Sequence, residues 1–178
     1  ITNLFSNIFL QSSDTLKNEV AIMVPEYGVA FELPALWLEK IVDFSDTRSQ
    51  SFFKHYLIFL VSFIGSIFFY FIALKKFNSW KLALLGTLFL VSSPRIFAES
   101  FYNSKDIIFM YLFIINTFFA IIFLEKPNKF NSIMLTFVSA LCIGVSVRGI
   151  ILIILVLYFL WIKCLRKDYN FKIINSVL

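Results

Sequence analysis

Five polar side chains able to do chemistry stand within the stretch SSPRIFAESFYNSKD, residues 92–106: Arg95, Glu99, Asn103, Lys105 and Asp106. If residues 95–106 form one helix, Arg95, Glu99, Tyr102 and Asp106 fall on one side, spaced by 4, 3 and 4, while Ile96, Phe97 and Phe101 point elsewhere. Ser93 followed by Pro94 reads as the start of that helix, a cap and then a proline in the first turn. A further cation, Arg148 in VSVRGI, separates two apolar runs by little more than itself and Gly149. Those runs must then turn back as a tight helical hairpin with Arg148 at its tip. Guanidinium groups pair bidentately with phosphate oxygens, so Arg95, Lys105 and Arg148 are candidates for holding a lipid phosphate. Glu99, Asn103 and Asp106 stand in the same stretch as two of these cations. The bland alternatives are a surface Arg95–Glu99 pair on a helix rim and an Arg148 that snorkels to headgroups.

Glu32, in PEYGVAFELPALWLEK, precedes a proline and is flanked by apolar residues. A carboxylate so pinned suits a divalent cation or the orientation of an acceptor, with a solvated loop acid as the alternative. No other cofactor is indicated. His55, the sole histidine, enters an apolar run beside Lys54 and reads as structural.

These residues are carried on an apolar chain. Of 178 residues, 60% are hydrophobic and 19% aromatic, the mean hydropathy is +0.85, and only 15% are charged, against about a quarter in soluble domains. Residues 56–74, 107–124 and 130–147 each approach the roughly 20 residues that cross a bilayer. Leu82–Ala98, interrupted by Arg95, and Gly149–Ile162 complete a set of five. The expected fold is therefore all-α, a multi-pass transmembrane helical bundle covering residues 53–178. Residues 1–52, mixed in polarity and broken by Pro25, Gly28 and Pro34, read as an external loop. Within it ALWLEKIVDF, 35–44, reads as a short interfacial helix with Trp37 at headgroup level and Pro34 near its first turn.

The net charge of +5 matters less than its placement. Lys75, Lys76 and Lys81, then Lys126 and Lys129, then Lys163, Arg166, Lys167 and Lys172 fall on one side if five helices alternate. Basic short loops stay cytoplasmic, so the opening stretch and Arg148 belong to the outer face. Cations spread in this way argue against nucleic acid as a partner. Cys142 and Cys164 read as small buried hydrophobes. The chain starts at Ile1 and ends as FKIINSVL turns apolar again, so it reads as a piece of a longer protein.

YGVAFELPALWLEK, LFLVSSPRIFAESFYNSKD and SALCIGVSVRGI together resemble the dolichyl-phosphate-mannose–protein mannosyltransferase family, membrane glycosyltransferases of the C type, in a bacterial-looking form. SPRIFAESFYNSKD is the most specific part. The resemblance implies transfer of a hexose from a polyprenyl-phosphate-linked sugar to a protein or glycolipid acceptor, at the outer or periplasmic face of a bacterial inner membrane, among membrane lipids. It also implies an acceptor or metal side shaped by Glu32, Glu99, Asn103 and Asp106, and a catalytic acid early in the first external loop, which is expected upstream of Ile1. A transporter or lipid-flippase core is the rival, although the runs 56–74, 107–124 and 150–162 carry no mid-span charge or helix breaker.

Overall fold

The computed structural model describes residues 29–42 and 46–165, with the side chains of Lys163, Cys164 and Leu165 excepted. The expectations for Pro25, Gly28, most of the 1–52 loop, the side chains of Lys163 and Cys164, and Arg166, Lys167 and Lys172 lie outside the described residues. Within them the structure is all-helical: α1 (Val29–Val42), α2 (Thr47–Phe77), α3 (Trp80–Ser92), α4 (Pro94–Tyr102), α5 (Asp106–Glu125), α6 (Lys129–Val145), a 3₁₀ turn (Val147–Gly149) and α7 (Ile150–Leu165).

Two of these helices, α2 and α5, are long and apolar enough to cross a membrane, and the count becomes three if the bent pair α3–α4 is one span. At 17 and 16 residues, α6 and α7 are about 25 Å long, short of the roughly 30 Å hydrocarbon layer. The surface is apolar where a soluble protein would be charged. Leu82, Leu85, Leu88 and Phe89 of α3, and Ile151, Ile154, Leu157 and Trp161 of α7, are all exposed.

The expected run Leu82–Ala98 is not one helix. It breaks at Ser93, and α3 and α4 meet at 65°. Pro94 has no N–H to offer Leu90 O, and its ring forces the preceding residue away from helical ψ; Ser93 accordingly has φ −60° and ψ 119°. Pro94 then opens α4 at its first position, as the sequence predicts, although the Ser93 hydroxyl makes no capping bond. A second correction concerns α1, which begins six residues earlier than expected and carries Pro34 inside the helix rather than at its start.

α5 lies at the centre, packed on α2 along one side and on α6 along the other. α3 covers α2, and α1 rests on α6 and the start of α2. Two glycines permit the closest approaches. A Cβ on Gly65 of α2 would sit 2.6 Å from Tyr111 Cβ, so the buried Tyr111 ring of α5 lies directly on the α2 backbone. A Cβ on Gly144 of α6 would meet Ala30 of α1 at 2.6 Å. Midway along the bundle, the buried Asn116 of α5 and Ser139 of α6 exchange hydrogen bonds of 3.0 and 3.2 Å. Cys142, one turn further on, is fully buried, as expected.

At one end, Lys75 of α2 pairs with Glu125 of α5, which brings Lys75, Lys76 and Lys126 close together. At the other end, Ile58, Ile107, Ile108, Tyr111 and Val145 form a buried core, with Ala30 and Phe31 of α1 packed against it. Ile107 follows Asp106, Val145 leads into Arg148, and Ile58 lies one turn beyond Lys54. This core is therefore the floor beneath the polar residues singled out by the sequence.

Candidate functional site

The polar stretch 92–106 is not the single helix that a 4, 3, 4 spacing implies. α4 stops at Tyr102, and Asp106 is already the first residue of α5. The polar residues are nonetheless joined, by contacts rather than by one helical face. Arg95 Nε donates to Glu99 Oε1 at 2.9 Å. The other carboxylate oxygen, Oε2, accepts from Asn103 Nδ2 at 3.3 Å. Asn103 Oδ1 in turn accepts from the backbone N–H groups of Lys105, at 3.1 Å, and Asp106, at 2.9 Å. Asp106 Oδ1 then accepts from an Arg148 terminal nitrogen at 2.7 Å.

Arg148 is held from three sides. Its Nε donates to Ser146 Oγ at 3.0 Å, the carboxylate of Asp106 holds one terminal nitrogen, and its guanidinium carbon lies 5.0 Å from the centre of the Phe109 ring. The tight turn that presents it runs from the end of α6 through the 3₁₀ turn into α7, which is the hairpin expected from VSVRGI. Arg148 and the 92–106 stretch thus share one end of the bundle.

All three expected phosphate-binding cations are here, but two are already paired. Arg95 is bound by Glu99 and Arg148 by Asp106, so those carboxylates serve the cations rather than forming a separate acceptor side. Lys105 contributes its backbone N–H, and its ammonium makes no ion pair among the described residues. Three cations against two carboxylates leave one net positive charge. The pairs differ in accessibility: the side chains of Arg148 and Asp106 are 57% and 59% exposed, whereas Glu99 is 18% exposed beneath an 87% exposed Arg95. An exposed pair opens at a cost of about 1 kcal/mol or less, so an incoming anion can compete for Arg148 and for the open face of Arg95.

Glu32 is not part of this chain of contacts. It is buried on α1, and its Oε2 lies 2.7 Å from Lys54 Nζ on α2. Its other oxygen is buried without a hydrogen-bond partner among the described residues. Burial raises the carboxyl of Glu39, one turn pair further along α1, above its ordinary value; Lys54 opposes that shift and Glu32 adds to it. His55 donates from Nδ1 to the carbonyl of Phe101, at the end of α4, and the Phe59 and Phe101 rings stack at 5.4 Å. Lys54 and His55 therefore clamp α1 and α4 to α2. The sequence reads His55 as structural but does not show the partners of either residue, because two neighbouring polar residues at the mouth of an apolar run look like a simple boundary. Phe109 and Ser146 were missed for a different reason: only tertiary contact sets them beside Arg148. Among the described residues no three His, Cys, Asp or Glu side chains come together to hold a metal ion.

Behind α4, on the side away from Arg95 and Glu99, lies a cleft of about 420 Å³ between α2, α3 and α4. Phe59, Phe63, Leu84, Val91, Phe97 and Phe101 supply much of its wall. Its Ser and Thr hydroxyls all turn back onto their own helices: Ser62 to Ile58 O, Ser66 to Ser62 O, Thr87 to Ala83 O and Ser100 to Ile96 O, at 2.7–2.9 Å. Apart from Tyr70 and Tyr111, the wall therefore presents hydrocarbon.

No family model matches the chain, and no match is found among curated proteins or solved structures. The resemblance to the protein mannosyltransferase family thus rests on the quoted stretches alone.

Proposed function

We propose that this chain is part of a membrane glycosyltransferase that moves a hexose from a polyprenyl-phosphate donor to an acceptor hydroxyl at the external face of the membrane. The observation that carries this reading is the run of contacts from Arg95 through Glu99, Asn103 and Asp106 to Arg148, gathered at one end of an apolar bundle, with a hydrocarbon-lined cleft on the other side of α4. A lipid-linked phosphate needs both a cationic headgroup site and an apolar refuge for its chain.

In the reaction, the acceptor oxygen attacks the anomeric carbon as the bond from that carbon to the phosphate oxygen breaks. The acceptor proton passes to a base, and the released polyprenyl phosphate keeps the electron pair. Arg95, Lys105 and Arg148 stabilise the charge growing on that phosphate. Glu99 has both oxygens engaged and is a poor base. The family resemblance implies that this base is an acid of the first external loop, outside the described residues. A divalent cation on the acceptor side, near Glu32, is not required by these steps.

The topology that goes with this reading is five alternating spans, with α3–α4 as a bent crossing, α6 and α7 as short ones, and α1 at the interface with its exposed Trp37 at headgroup level. The Lys75–Glu125 pair supports placing the first two basic clusters at one end, and basic short loops are retained inside. The end with Arg95 and Arg148 then faces out, to the periplasm in a bacterial inner membrane.

The test is transfer by the complete protein in proteoliposomes, from labelled polyprenyl-phosphate hexoses, beside Arg148→Ala and Asp106→Ala variants at equal expression. Loss of a developing-charge contact is expected to lower transfer about a hundredfold. Full transfer by both variants would reduce the cluster to a helix rim. A transporter or flippase core draws its support from the broken α3–α4 helix, since discontinuous helices build transport sites. Donor-independent flux or lipid scrambling in the same vesicles, without transfer, would favour that reading instead.

A further inference from the structure

We infer that Asn103 is a positioning residue, a two-ended strut whose amide fixes the Arg95–Glu99 pair of α4 relative to the Asp106–Arg148 pair across the break between α4 and α5. The functional half of this inference rests on the glycosyl-transfer reading; the structural half does not.

The break at Ser104, which is buried, leaves two problems. The first N–H groups of α5 have no helical partners, and Lys105, at the N-cap position, makes no side-chain capping bond. Asn103 Oδ1 meets this need by accepting from both Lys105 N and Asp106 N. The second problem lies on α4. Glu99 is mostly enclosed, and Arg95 satisfies only one of its oxygens. Asn103 Nδ2 donates to the other, while the Asn103 backbone N–H continues the helix ladder to Glu99 O at 2.9 Å. Two donors thus fix where the amide oxygen lies, and a carboxylate fixes where the nitrogen lies.

This division of labour separates a strut from a cap. Aspartate and serine cap helices about as well as asparagine, so a residue needed only as a cap tolerates Asn103→Asp. A strut does not. The introduced carboxyl keeps both backbone contacts but turns a donor into a second negative charge facing Glu99. Two facing carboxylates share a proton at a pH above their ordinary range, so lowering the pH restores a donor between them. The defect of Asn103→Asp should therefore be largest at neutral pH and shrink as the pH falls into the carboxyl range. Asn103→Ala, which loses both ends, gains nothing from acid.

The experiment uses the complete protein in nanodiscs and follows site-resolved amide exchange alongside transfer. In Asn103→Ala the Lys105 and Asp106 amides are expected to exchange about tenfold faster, as for one lost hydrogen bond. In Asn103→Asp these amides keep their protection, while residues 95–102 of α4 exchange faster at pH 7.5 and recover near pH 5. Transfer by Asn103→Asp follows α4, falling about tenfold at pH 7.5 and rising relative to wild type as the pH falls. Wild-type exchange throughout α4 in Asn103→Asp would overturn the strut, whatever transfer does. Loosened α4 with wild-type transfer would overturn its positioning role. A wild-type protein that transfers from no donor overturns the glycosyl-transfer reading, and exchange alone then decides on the strut.

Discussion

Two ion pairs at the same end of the bundle do different work. Arg148–Asp106 is more than half exposed and contributes little to stability, whereas Glu32 is enclosed, with Lys54 as its ion-pair partner. Removing one member of a buried pair strands the other charge, at about 3–5 kcal/mol. Because Lys54 is one-third exposed, we expect Lys54→Ala to cost about 2 kcal/mol, read as a lowered Tm in detergent. Arg148→Ala should leave Tm within about 2 °C of wild type. Equal drops in the two variants would contradict this assignment. The residue types were legible in the sequence: Arg95, Glu99, Asn103, Asp106 and Arg148 do come together. Their partners were not, because Asp106 and Arg148 are 42 residues apart and only tertiary packing joins them.

At the scale of elements, the informative feature is the elbow between α3 and α4. Its cause is local and readable, since Pro94 can neither donate to Leu90 O nor let Ser93 stay helical. Its consequence was not readable: the same proline that starts α4 also ends the run that hydropathy alone joins across Arg95. Pro94→Ala restores an N–H and removes a penalty of about 3 kcal/mol from a continuous helix. We expect amide protection across residues 93–97 to rise and α4 to leave its clamp on His55. Unchanged protection would mean that the Phe59–Phe101 stack and the His55 contact hold the bend without the proline. The α4–α5 break was missed for a related reason. Periodicity continued through Tyr102 and Asp106, but Asn103 offers the backbone a side-chain acceptor that competes with the helix.

For the molecule as a whole, apolar runs announced an all-helical, lipid-compatible fold because surface and interior are equally apolar. That sameness also hides which face packs where, so α5 could not be identified as the central helix. Buried polar contacts carry that information. Asn116 and Ser139 register α5 against α6, and such contacts average about 0.6 kcal/mol in bilayers. Ser139→Ala leaves a buried amide unmet and should cost about 1–2 kcal/mol. Asn116→Leu combined with Ser139→Ala should recover part of that loss. A double variant less stable than the sum of the two singles would refute the pairing as the source of the cost.

The length of α2 bears on all of this. Its 31 residues extend about 46 Å, some 16 Å beyond a hydrocarbon layer of about 30 Å. Most of its polar residues stand in the first nine, TRSQSFFKH, which rise about 14 Å, with Lys75 and Lys76 in the last turn, so most of the surplus belongs to the first end. In the proposed topology the helix is then a stalk as well as a span, and Lys54 and His55, which grip α1 and α4, are mounted on it. The height of the polar cluster is set by the stalk rather than by the lipid. In that topology a change in bilayer thickness slides the headgroups along α2 while the cluster keeps its own internal distances.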